Sequence, residues 1–147
     1  MYHHIDIANP QDLAIWCCIL VGLFGLLSKK NICPEDANDL DPVKFGLRDL
    51  TIPLIRSHSK ALDPVFHLGL LFKRTQAPPD RPAFSYKTTS ENLAFISHKM
   101  FKQRWKKLLS QSGFSPEKFS GHSLRRGGAT YLYQCGASTL EIQASGD

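Results

Sequence analysis

Residues 13–27, LAIWCCILVGLFGLL, constrain the fold of this chain more than any other stretch. They carry no charged side chain. The run is shorter than the ~20 apolar residues that cross a bilayer. The segment before it, MYHHIDIANPQD, carries acids where a signal peptide would carry a positive n-region. The expected outcome is a fully buried helix rather than a membrane segment. Asn9 is placed to cap it, Pro10 fits its first turn, and Asp12 suits its positive end. The helix is expected to run to about Ser28, with Lys29 and Lys30 at its negative end. A chain of 147 residues has room for one such core and not comfortably for two.

The same start and stop signals divide the rest of the chain. CPEDANDLDPVKFG reads as a loop, and LRDLTIPLI as a short extended segment in which Pro53 argues against a central strand. Asp63 caps a helix with Pro64 in its first turn, ending at Lys73 and Arg74. AFSYK is a candidate short extended piece. Ser97 caps a helix whose Met100, Phe101, Trp105, Leu108 and Leu109 share one face, closed by Gly113. A further helix is expected from about His122 to Cys135, stopped by Gly136, and a last short one follows the Ser138 cap. The expected class is mainly α, with a small remnant of strand. Residues 1–8 read as a short tail with His3 and His4 at a loose terminus, and residues 9–147 as one domain.

Cysteine and histidine usage narrows the chemistry. Cys17, Cys18, Cys33 and Cys135 form no CxxC pair, and Cys17 and Cys18 sit in the apolar run as small hydrophobes. This usage fits a reducing, intracellular compartment. His58, His67 and His98 have no matching ligand cluster, so no metal or cofactor is expected.

Charge points to an anionic partner. The chain has 18 Lys and Arg against 13 Asp and Glu, a formal net charge of +5. The excess is concentrated. Between His98 and Arg126 stand Lys99, Lys102, Arg104, Lys106, Lys107, Lys118, Arg125 and Arg126, opposed only by Glu117. Such a basic stretch is a candidate nucleic-acid surface, or else a solvated helix face.

Within that stretch lies GHSLRRGGATYLYQCG, residues 121–136. His122 and Arg125, three apart, are neighbours on one face at the start of a helix. Arginine offers a planar fork matched to phosphate oxygens. Histidine can donate a hydrogen bond or exchange a proton near neutrality. Free backbone N–H groups lie beside them, and Gly127 and Gly128 permit close backbone approach. On spacing alone, a capped helix with an exposed basic turn is the preferred explanation of the motif.

In context, FSGHSLRRGGATYLYQCGASTLEIQASGD resembles the end of the tyrosine recombinase (phage-integrase-like) catalytic domain, in the version found in eukaryotic recombinase-encoding transposons. APPDRPAF, WKKLLSQSGFSPEKFSGHS and LVGLFGLLSKKNICP fit the same family order, so the resemblance runs from about Asn9 to Asp147. It implies an integrase-like DNA breaking and rejoining fold, double-stranded DNA as partner, a nuclear location, and a role in DNA integration and recombination. In that family a tyrosine attacks the phosphodiester, two arginines and a histidine stabilise the transition state, and a hairpin lysine acts as an acid. By resemblance His122 and Arg125 match the family's histidine and second arginine.

The chain also departs from the pattern. Where the family's first arginine is expected, GLLSKKN carries Ser28, and neighbouring Lys29 and Lys30 cannot reproduce a bidentate fork. The hairpin lysine is open to two alignments: a deletion between Arg48 and Pro53, or Lys60 in SHSKA as the catalytic lysine. The nucleophilic tyrosine is expected downstream of Gly146 and Asp147, while Tyr131 and Tyr133 read as helix packing. The expected function is therefore DNA binding by an incomplete recombinase domain, with Lys99, Lys102, Arg104, Lys106, Lys107 and Arg126 as backbone contacts. The alternatives are a small helical interaction module without a DNA role, and a fragment of an active recombinase. Loss of a hairpin and a terminal helix would expose apolar surface and favour self-association.

Overall fold

The computed structural model describes residues 1–27, 33–34, 54 and 56–145. Ser28, Lys29 and Lys30 lie outside the described residues, as does the stretch from Arg48 to Pro53 on which the hairpin alignment turns.

The molecule is mainly helical and is built around α1, Pro10–Phe24. Asn9 accepts from the amides of Gln11 (2.9 Å) and Asp12 (3.2 Å), satisfying two of the donors a helix start leaves open. Every residue from Leu13 to Gly22 is buried. A helix apolar all round must be covered all round, and here its neighbours supply the cover. The helix stops at Phe24, short of Ser28. The Gly25 amide bonds the Val21 carbonyl at 2.8 Å, and Leu26 then takes a left-handed φ of 50°. That conformation is costly for a branched residue. Burial of Leu26 and Leu27 on the core offsets the cost.

A 3-10 turn, Lys60–Leu62, leads into α2, Pro64–Thr75. Asp63 accepts from the Phe66 amide at 3.0 Å, and the buried Pro64, His67, Leu71 and Thr75 form the stripe α2 presents to the core. The extended piece expected at AFSYK is strand β1, Ser85–Lys87. It pairs antiparallel with β2, Leu93–Phe95, in the register Ser85–Phe95, Tyr86–Ala94, Lys87–Leu93. Helix α3, His98–Gln111, is capped by Ser97 and buries Phe101, Trp105, Leu108 and Leu109; Gly113 closes it at φ 82°. Helices α4, Ser123–Gln134, and α5, Thr139–Ser145, complete the chain. Ser138 and Glu141 form a reciprocal capping box at the start of α5.

The N-terminal residues are not a loose tail. Tyr2–His4 form a 3-10 turn, Ile5 is buried, and the Tyr2 ring lies 5.4 Å from that of Trp16. Arg104 donates to the His4 carbonyl at 3.0 Å, and Arg74 to that of Ile7 at 2.6 Å. Among the described residues no helix is long and apolar enough to cross a membrane.

Candidate nucleic-acid interface

Serine side chains set up the start of α4. The Ser120 hydroxyl accepts from the His122 amide (3.3 Å), and the Ser123 hydroxyl accepts from the Ser120 amide (2.9 Å). These local bonds compete with continued chain and start the helix at Ser123. His122 occupies the N-cap position but its side chain caps nothing. Among the described residues, the amides of Leu124 and Arg125 find no acceptor, so the helix keeps open donors at its positive end. His122, Arg125 and Arg126 are all exposed. Sequence reading overlooked Ser120 and Ser123, although the S-x-x-S spacing around the motif was their signal.

The opposite side of the same turn is anchored. Leu124 and Gly128, one turn apart, are buried against α1. A Cβ at Gly128 would fall on the Leu23 carbonyl oxygen and 2.7 Å from Leu26 Cδ2, whereas one at Gly127 would sit 3.7 Å from Leu23 Cδ1. The close approach that the glycine pair permits is therefore at Gly128 and toward the end of α1, not toward a ligand. The exit of α1, which leads to Ser28, thus packs against the helix that carries Arg125.

The other expected contacts separate into two groups. Lys99, Lys102, Lys106 and Lys107 are exposed on α3, and Lys118 on the turn after it. Arg104 is different and corrects its expected role as a surface contact. Its Nε and Nη2 clasp both carboxylate oxygens of Asp12 at 2.9 and 2.6 Å, and Nη2 also bonds the His4 carbonyl. Its side chain retains only 21% of its exposure. A guanidinium spent this way ties α3 to the start of α1 and has no fork left for a phosphate.

Lys60 sits on the 3-10 turn that precedes α2. Its Nζ rests 4.7 Å from the Phe66 ring centroid. The turn that carries it is fastened to α1 and α2: Trp16 Nε1 donates to the Ala61 carbonyl at 3.0 Å, and His67 Nε2 to that of Lys60 at 3.1 Å. Trp16 and Leu23 are two turns apart on α1, roughly 10 Å along its axis, so the Lys60 turn and α4 attach to different stretches of that helix. His67 has no exposed surface and its Nδ1 has no partner among the described residues. Desolvation lowers its pKa, opposed by its bonds to the turn, so the ring is held neutral.

Tyr131 meets Phe24 edge-on at 6.0 Å but stays 49% exposed, so it packs only in part. Tyr133 does not pack: 67% of it is exposed. Among the described residues no three His, Cys, Asp or Glu side chains converge as metal ligands. Comparison with family models, curated proteins and solved structures yields no match to this chain.

Proposed function

We propose that this chain is a tyrosine-recombinase-like domain of integrase-like fold that grips the backbone of double-stranded DNA and is deficient in strand cleavage. One observation carries the reading. The first turn of α4 presents His122, Arg125 and Arg126 to solvent beside open backbone donors, while Leu124 and Gly128 fix that turn on α1. A phosphodiester at this turn would meet a guanidinium fork, a ring N–H and the positive helix end together. The exposed lysines of α3 add non-specific backbone attraction. Integration and recombination of nuclear DNA is the ancestral activity this reading implies.

The deficiency rests on Ser28. A hydroxyl cannot supply the charged fork that a second arginine would bring to a phosphorane-like transition state, and one such stabiliser is worth roughly 10²–10³ in rate. Incubation with a nicked suicide duplex is expected to give a retarded protein–DNA complex at low salt and no covalent adduct. A trapped adduct would mean that the domain belongs to an active recombinase. The exposed Tyr133 and Leu140 favour a second reading, an interaction module that associates with itself or another protein through apolar surface. That reading predicts no retarded complex at any salt concentration.

A further inference from the structure

Two buried thiols from separate segments lie in contact. Cys18, midway along α1, has no exposed surface, and Cys33, on the chain after α1, retains 3%. Their Sγ atoms are 3.8 Å apart. Cys17 is a different case: one residue earlier, it projects ~100° round the helix, and no sulfur lies in contact with it among the described residues. Cys33 is held in place by its neighbour, because the Pro34 carbonyl accepts from the His98 amide at 2.9 Å. The pair is thus presented by α1 on one side and by a segment fastened to α3 on the other.

We propose that Cys18 and Cys33 are a redox-responsive pair that closes into a disulfide under oxidising conditions and staples the chain leaving α1 back onto α1. A disulfide needs its sulfurs ~2.05 Å apart, so closure requires side-chain rotation and a small shift of the Cys33 segment. The oxidant is a small-molecule disulfide such as oxidised glutathione. One cysteine thiolate attacks a glutathione sulfur and releases one glutathione thiolate. The second cysteine then attacks the protein sulfur of that mixed disulfide and releases the other. Two electrons and two protons leave the pair and appear as two molecules of reduced glutathione. Burial pushes the Cys18 thiol well above its usual range and keeps it protonated, so exchange begins on local opening and is slow. In a reducing compartment the pair rests as dithiol. The closed loop would enclose Leu23 and Leu26, against which Gly128 of α4 packs.

The test uses the full chain with oxidised glutathione, followed by alkylation of free thiols, trypsin digestion and mass spectrometry. The expected product is a monomer lighter by two hydrogens, in which peptide 1–29 is joined to peptide 31–44. The link should persist in Cys17→Ser, disappear in Cys18→Ser and Cys33→Ser, and reverse with dithiothreitol. Fragmentation of the linked wild-type peptides assigns Cys17 or Cys18 directly, so the outcome does not depend on the variants folding. Four outcomes overturn the proposal: both thiols remaining alkylatable after prolonged oxidation in mild denaturant, a link assigned to Cys17, a link surviving in Cys18→Ser, or crosslinked dimers through Cys135 alone.

Discussion

At Gly128 a single hydrogen decides whether α4 can dock. Any side chain there meets the Leu23 carbonyl, which is backbone and cannot yield without moving the end of α1, as well as the Leu26 side chain. Gly128→Ala is expected to destabilise by about 1–3 kcal/mol, the scale of core overpacking, read as a lower urea midpoint. Gly127→Ala meets only ordinary contact and should gain up to about 1 kcal/mol in helix propensity. His67 gives a second prediction. Its folded pKa lies below the ordinary histidine value of 6.5, so the unfolded chain takes up the proton first. Its cost is therefore absent above pH 6.5 and grows as pH falls through 6.5 toward the folded value. Urea midpoints of the wild-type chain should drop across that window more steeply than those of His67→Gln; equal slopes would contradict the assignment. The sequence made the glycine pair legible as a site of close approach. It could not say what approached, because Leu23 lies far from Gly128 along the chain.

Helices α1, α2, α3 and α5 were legible because each begins with its own local signal, whereas His122 at the start of α4 caps nothing. Asn9, Asp63, Ser97 and Ser138 all cap as their spacing implied. The end of α1 was less so, since Leu26 adopts a left-handed conformation that no propensity favours and that burial alone sustains. Strand β2 was missed because three residues cannot display an alternation. The N-terminal segment was misread for another reason: the arginines that hold it lie 67 and 100 residues away. Arg104 belongs to this scale. Arg104→Gln should cost about 1–3 kcal/mol through loss of a partly buried, bidentate pair, while Lys102→Gln, on the exposed face, should change stability by less than about 0.5 kcal/mol. Thermal unfolding of the two variants side by side checks the distinction.

Across the whole molecule, α1 serves as a common post. The N-terminal segment and the Lys60 turn fasten at its first half, and α4 at its end. The His122–Arg125 turn was legible as a candidate site because its residues are adjacent in sequence. Its relation to Lys60 was not, because that depends on where two distant segments attach to one helix. The central claim, a backbone-gripping surface made of the α4 turn and the α3 lysines, implies counterion release. The direct measurement is the affinity for a mixed-sequence duplex across a salt series. The wild-type chain should lose affinity with a log–log slope of magnitude about 3–5, as expected for several phosphate contacts. Arg125→Ala should lower that magnitude by about 1. Arg104→Gln, measured where it remains folded, should leave it unchanged. A slope near zero, or one that Arg125→Ala does not alter, would contradict the claim.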